Sequence, residues 1–282
     1  MNKTKVVVIL GPTSSGKSDL AVSLALRLRG GAAQKTGING AEIISADSRQ
    51  VYKGLDLGTG KIRKSEMKGV KHHLLGVASP KKTFSASHFV KLAEKAIADI
   101  VSRVKLPIIC GGTGFYISTL LREAQISEVP PNPELRKKLE KKSIEELFEM
   151  LHRLDSERAA NIDAKNPHRL IRAIEIASFN SKNQSRKVKV SRDESEKYDV
   201  LKIGIAPMKK PFPLPPPLRR GGKKKKTLNP LPLEGGLGVG FVLDELELKK
   251  RINKRLEKRI KQGMIKEAEK LHKQGLTFKR MR

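Results

Sequence analysis

Residues 6–18 read VVVILGPTSSGKS, and this stretch decides the fold. Lys5 to Leu10 is a continuous, largely β-branched run, the pattern of a strand buried on both faces of a parallel sheet. Gly11 ends it, and GPTSSGKS then matches the spacing of a phosphate-binding loop. Leu20, Leu24 and Leu28, with Ala21 and Ala25, recur at helical spacing, which predicts a helix starting near Lys17 and ending by Gly30. In that context Gly11, Pro12, Thr13, Ser14, Ser15, Gly16, Lys17 and Ser18 form a diphosphate or triphosphate cradle. Its backbone N–H groups and the helix N-terminus face the anion, Lys17 adds charge, and Ser18 is a ligand for Mg²⁺.

Working outward, Glu42 to Ser45 reads as a second strand running into Ala46-Asp47-Ser48. An amphipathic helix from about Ala86 to Val104 precedes a third strand, Leu106 to Cys110, which runs into Gly111-Gly112-Thr113-Gly114. Tyr198 to Pro207 reads as a strand returning to the sheet. Between them, from about Pro130, the chain turns to charged helix-forming sequence, with Asn166-Pro167 separating one helix from the next. The predicted fold is α/β: a P-loop NTPase-like parallel sheet with helices on both faces plus an inserted helical subdomain. The core takes residues 1–122 and 198–282 and the insertion residues 123–197. Residues 208–242, rich in Pro, Gly and Lys, have no period that could build a core and are expected to lack structure. After them Leu248, Ile252, Leu256 and Ile260 mark one face of a very basic helix.

The chain has 282 residues, with 59 Lys and Arg against 29 Asp and Glu, a formal charge of +30. An excess of that size, spread along the chain, points to a polyanion, with a nucleic acid ahead of an acidic membrane surface. One cysteine, Cys110, excludes an intrachain disulfide, and no Cys/His cluster has zinc spacing. The basic start MNKTKVVVIL is too short in its apolar part for a signal segment or a membrane span. These features predict a cytoplasmic protein with no membrane association, and a monomer.

In open α/β sheets ligands bind beyond the carboxyl ends of the strands. Asp47 at the second strand end is placed to act as a general base or as a carboxylate near a metal, although a turn or helix-capping Asp would look the same. Thr113 in GGTG offers a hydroxyl at the third end, where a simple turn would also fit. Arg169 and Arg172, three apart on a predicted helix, share a face that could clamp phosphates or merely meet solvent. His72-His73, with no ligand-spaced carboxylate or Cys in sequence, reads as structural. On these residues alone a phosphate-loop kinase of a small molecule or nucleoside is the default.

Taken together, GPTSSGKS, EIISADSRQVYKGLDLGTGK (Glu42 to Lys61), KHHLLGVASP (Lys71 to Pro80), FSASHF (Phe84 to Phe89), PIICGGTGFYI (Pro107 to Ile117) and NPHRLIRAIEI resemble the tRNA dimethylallyltransferase family, also called tRNA isopentenyltransferases. The similarity runs from about Val6 to Pro207 and resumes near Leu243. The resemblance implies transfer of a dimethylallyl group from dimethylallyl diphosphate to N6 of the adenosine 3′-adjacent to the anticodon. The diphosphate is then the leaving group, held by the loop with Mg²⁺. It implies Asp47 as general base, with Lys17 and Thr113 as further catalytic groups. It also implies tRNA contacts from Asp47, Ser48, Arg49, Gln50, Thr113, Arg136 and the run His168, Arg169, Leu170, Ile171 and Arg172, in which Arg172 also faces the diphosphate. The partner is the tRNA anticodon stem-loop. Two departures from the family pattern are the segment Met208 to Val242 and the end at Arg282, where the family continues with a glycine-tyrosine segment and a terminal helix. They lead to an expectation of impaired activity, or of a tRNA-binding remnant without it.

Overall fold

The structure is a computed structural model that describes residues 3–29, 37–124, 127, 129–182, 197–208, 231–232 and 238–281. The chain divides into two compact units, one of Met1–Ala124 with Glu194–Arg282 and one of Gln125–Asp193.

The first unit is built on a sheet of strands β1 (Thr4–Leu10), β2 (Ala41–Ser45), β3 (His72–His73), β4 (Leu106–Gly111), β5 (Tyr198–Met208), β6 (Leu231–Pro232) and β7 (Gly238–Asp244). Their order is β3-β2-β4-β1-β5-β7-β6. Every pairing is parallel except β6 with β7. Val7 and Ile9 of β1, Ile43 of β2 and Ile108 of β4 pack against Ala21, Val22 and Ala25 of the helix Lys17–Arg27. The alternate residues Val6, Val8, Ile44 and Ile109 are equally buried, so the central strands are covered on both faces, as their continuous apolar sequence requires. The helix Ala86–Ser102 lies against β2 and β4 and buries Phe89, Ala93, Ile97 and Ile100. Ser85 caps it by accepting the N–H of His88.

His72-His73, read as structural, form a short strand beside β2, in register with Ile43 and Ile44. One expectation is corrected here. Part of the segment 208–242 is ordered: residues 238–244, GVGFVLD, run parallel to β5 from Lys202 to Met208. β5 would otherwise leave an edge of unpaired backbone N–H and C=O groups, which this strand pairs. Residues 209–230 and 233–237 lie outside the described residues.

In the second unit the helices Pro133–Leu139, Ile144–Leu154, Ser156–Asn161 and Pro167–Lys182 enclose Leu139, Leu147, Leu151, Leu170 and Ile174. Asn132, Ser143 and Asp155 each cap a helix through a side-chain oxygen. Pro167 opens the last helix, where its missing N–H has no partner to lose. Among the described residues no helix is long and apolar enough to cross a membrane.

Candidate active site

Strands β2, β4 and β1 are neighbours, so the turns that follow them open side by side at one edge of the sheet. After β1, Ser14 and Gly16 take left-handed backbone conformations (φ 63° and 90°). Such reversals turn successive N–H groups toward one point and form an anion nest. The loop presses against β5, since a Cβ on Gly11 would stand 2.8 Å from the Ile205 carbonyl oxygen. Within it the hydroxyls of Ser14 and Ser15 are buried without a hydrogen-bond partner among the described residues. Buried hydroxyls without partners are costly, and an anion accepting from them would remove that cost.

Lys17 opens the helix and donates from Nζ to the Pro12 carbonyl at 2.9 Å. Burial draws its ammonium below the ordinary lysine range; the charge of Arg255 acts in the same direction and Asp47 against it. Lys17, Ser18, Asp47 and Gln50 line one cleft, floored by Cys110 and Gly111 and walled on its apolar side by Ile43, Ile62 and Leu75. Burial pushes the Cys110 thiol up to about 12, so the floor is an uncharged group.

Asp47 serves its turn first: Oδ1 accepts the N–H groups of Arg49 at 2.9 Å and Gln50 at 3.2 Å. This is the local capping role that an Asp at this position predicts, and it orients the carboxylate while Oδ2 takes no hydrogen bond among the described residues. Thr113 precedes the helix Gly114–Leu120 without capping it; its Oγ1 instead accepts the N–H of Ser48 at 3.0 Å. Its own N–H donates to the Ala46 carbonyl at 3.2 Å. The turns after β2 and β4 are therefore fastened to each other. Gly111 makes this approach possible, because a Cβ there would lie 2.0 Å from the Ala46 oxygen.

Arg255, Gly60 and Glu267 of this region escape a reading of the sequence. Arg255, on the basic helix Glu245–Lys261, donates to the Gly60 carbonyl at 3.2 Å. Gln50 Nε2 donates to the same carbonyl at 3.4 Å. Glu267, on the helix Met264–Lys273, accepts the N–H groups of Asp56, Leu57 and Gly58 at 2.8–3.1 Å. Nothing local distinguishes Arg255 from the neighbouring cations, or Glu267 from an ordinary surface Glu.

The donor set at the cleft suits a hard divalent cation: the Ser18 hydroxyl and the Asp47 carboxylate lie beside a nest for an anion that would share the metal. A second grouping does not suit one. Glu42, His73 and Asp99 bring three possible ligand atoms together. Yet Glu42 is already held by Arg103, by Lys105 at 2.8 Å and by His73 at 2.8 Å. Arg103 above all keeps its carboxylate far below the usual range, and the grouping lies at the start of β2, away from Asp47. It is a buried ion network that anchors the strand.

In the helical unit Arg136 grips Glu175 with two hydrogen bonds, 3.0 and 2.8 Å. Arg172 also pairs with Glu175 and donates to the Val129 carbonyl at 2.7 Å. Burial raises the Glu175 carboxyl, but donors from Arg136, the Asn132 N–H and Arg172 outweigh it and hold the group at about 2. Leu170 and Ile171, expected in the tRNA-contacting run, are core residues of this unit with 0 % and 6 % exposure. Of that run His168 and Arg169 are exposed, and together with Arg158 and Asn161 they line an open hollow.

Comparison with known proteins bears on this arrangement. Residues 50–211 match the family model described as IPP transferase. The tRNA dimethylallyltransferase of Anoxybacillus flavithermus is 36% identical over 96% of this chain and 72% of its own length. The tRNA dimethylallyltransferase 2 of Treponema denticola is 37% identical over 99% of this chain and 78% of its own. Among solved structures, the tRNA isopentenylpyrophosphate transferase of Bacillus halodurans superimposes with a TM-score of 0.56 at 29% identity, covering 98% of this chain and 72% of that one. A eukaryotic dimethylallyltransferase captured acting on tRNA shares the fold with a TM-score of 0.64 at 22% identity, covering 96% of this chain and 56% of that one.

Proposed function

The chain belongs to the IPP transferase family and prenylates tRNA, and from that premise we propose that its cleft transfers a dimethylallyl group from dimethylallyl diphosphate to N6 of the adenosine 3′-adjacent to the anticodon. The observation that carries the proposal is the meeting of Lys17, Ser18 and Asp47 in one cleft, at the ends of three adjacent strands, beside buried loop hydroxyls without partners among the described residues. An anion nest on one side and an oriented carboxylate on the other is what displacement of a diphosphate by an amine requires.

The N6 amine attacks the allylic carbon, a C–N bond forms, and the C–O bond to the diphosphate breaks. Negative charge grows on the departing oxygen, where the loop N–H groups, the N-terminus of the helix Lys17–Arg27 and Lys17 receive it. Arg255, held by Gly60, adds a second cation that binds the diphosphate equally in the substrate and in the transition state. Ser18 would hold Mg²⁺, which when bound would neutralise diphosphate charge. The nitrogen must lose a proton, and Asp47 takes it through the oxygen that does not cap the turn. Thr113 and the turn Asp47 to Gln50 contact the target nucleotide, and Arg49 is exposed there. An unpaired loop base can be drawn from its stack into such a cleft at a cost of about a few kcal/mol, offset by backbone contacts. The net charge of +30 and the exposed His168 and Arg169 favour the phosphates of the anticodon stem. The protein acts as a cytoplasmic monomer in this reading.

The test is transfer of labelled dimethylallyl from its diphosphate to unmodified tRNA, with Mg²⁺, for this chain and its Asp47→Ala variant. Label on the adenosine that drops at least a hundredfold in the variant is the expected result. A chain that leaves the tRNA unlabelled but turns over ATP would overturn the proposal in favour of a kinase.

A further inference from the structure

The loop between Leu55 and Lys61 is held from two helices at once. On one side the carboxylate of Glu267 accepts three backbone N–H groups: Asp56 at 3.1 Å, Leu57 at 2.8 Å and Gly58 at 3.0 Å. On the other side Arg255 donates to the Gly60 carbonyl at 3.2 Å. The Arg259 guanidinium lies on Gly60 so closely that a Cβ there would stand 1.6 Å from Nη2. Gly60 itself is in the left-handed region (φ 65°), so this part of the loop admits no side chain on either ground. Lys61 ties the loop inward as well, pairing with Asp56 and donating to the Tyr52 carbonyl at 2.8 Å.

The Gly60 carbonyl is the junction. It receives Arg255 from the basic helix and Gln50 from the cleft wall, three residues after Asp47. A carbonyl shared between two donors can orient both only if its own loop is fixed. Besides its own Asp56, the loop is met among the described residues by the carboxylate of Glu267, more than two hundred residues away in sequence. Three converging N–H groups form a nest for an anion, and a carboxylate in such a nest makes charge-assisted bonds stronger than neutral ones.

We propose that Glu267 is a positioning residue for the transfer reaction: by pinning residues 56–58 it fixes the Gly60 carbonyl, which aims Arg255 at the diphosphate. This rests on the functional reading above for the identity of the anion. Glu267 touches neither substrate; it acts through Arg255. Its loss therefore weakens the hold on the diphosphate and leaves tRNA binding and the chemical step largely intact.

Glu267→Ala, Arg255→Ala and the double variant separate this role from a general structural one. The readouts are affinity for inorganic diphosphate by calorimetry, steady-state constants for both substrates, and amide hydrogen exchange. In Glu267→Ala the amides of residues 56–58 exchange faster while those of Ile108 to Cys110 do not. Diphosphate affinity falls and KM for dimethylallyl diphosphate rises about fivefold, the loss expected when one charge-assisted contact is misaimed, with kcat and KM for tRNA within about twofold. The double variant is no worse than Arg255→Ala alone, because the second loss acts through the first. Glu267→Gln, keeping one acceptor oxygen, falls between. Full additivity of the two losses, or unchanged diphosphate affinity in Glu267→Ala despite faster exchange at 56–58, would overturn the proposal. Because diphosphate binding is read directly, a chain that binds it but transfers no prenyl group would defeat the transferase reading, while the affinity of Glu267→Ala for diphosphate still decides the role of Glu267.

Discussion

Thr113 Oγ1 accepts the backbone N–H of Ser48 at 3.0 Å, joining the end of β4 to the turn that carries Asp47. In the proposed reaction this bond sets the distance between Asp47 as base and the Thr113 hydroxyl. Thr113→Val keeps the shape and removes the acceptor, so the turn loses its fastening but the core does not change. Expected is a fall in kcat/KM of about 10- to 100-fold, since small displacements of reacting groups are costly, with Thr113→Ser close to the parent. Steady-state kinetics with thermal melting of the three proteins checks this; an equal loss in Thr113→Ser would point to the methyl group and against the hydrogen bond.

Gly111 and Gly112 are adjacent but under different constraints. A Cβ on Gly111 meets the Ala46 oxygen at 2.0 Å and its carbonyl carbon at 2.4 Å, both backbone atoms that cannot turn aside. A Cβ on Gly112 meets Gly11 O at 3.4 Å and Lys17 Cε and Nζ at 3.9 Å, which is ordinary contact. Gly111→Ala is therefore expected to cost about 2–4 kcal/mol and most of the activity, and Gly112→Ala less than about 1 kcal/mol. Urea unfolding of both variants distinguishes them, and comparable midpoints would contradict the geometry.

The parts of the site legible in the sequence are those whose signal is local. The phosphate loop needs only the strand before Gly11 and the helix after Gly16, all within a short stretch. Asp47 and Thr113 lie at strand ends, where open α/β sheets bind ligands, and the surrounding blocks resemble one family. Arg255, Gly60 and Glu267 were not legible, because their meeting depends on helices that return about two hundred residues later, and helical periodicity does not say which cation of a basic helix turns inward. The short β3 has too few residues for a pattern. The β7 strand stands next to Pro-, Gly- and Lys-rich sequence that masked it. For Leu170 the signal was present: its i, i+4 apolar pair with Ile174 marks a core face, and residue type places it more reliably than membership of a binding run.

Glu175 makes the helical unit sensitive to acid. Its carboxyl is held at about 2, below the ordinary 4.5, so the folded state binds the proton less readily than the unfolded chain. The stabilisation is complete above about pH 4.5 and is lost as pH falls toward 2. The shift corresponds to on the order of 2–3 kcal/mol at neutral pH. In Glu175→Gln the slope of stability against pH over this window should flatten. Chemical unfolding between pH 2 and 6, followed by hydrogen exchange at Leu147 and Ile174, measures it; an unchanged slope would mean that Arg136 and Arg172 do not lower this group.

The same pair of arginines separates holding the fold from holding RNA. Arg136 and Arg172 are bound to a carboxylate whose side chain is 1% exposed, whereas Arg169 is 65% exposed and meets Asp163 at 3.7 Å. Removing a partner of a buried charge is destabilising, so Arg136→Ala should lower the stability of the helical unit by about 2 kcal/mol. Arg169→Ala should leave stability within about 0.5 kcal/mol, because an exposed pair contributes little. For tRNA affinity the ranking reverses. A phosphate contact releases counterions, so Arg169→Ala should reduce the slope of log K against log salt by about 1, and Arg136→Ala, measured where it is fully folded, should change it by less. Filter binding across a salt series, beside melting curves, yields both numbers for each variant. If Arg136→Ala lowers the salt slope as much as Arg169→Ala does while its melting temperature is unchanged, then Arg136 serves the RNA directly and its grip on Glu175 is incidental.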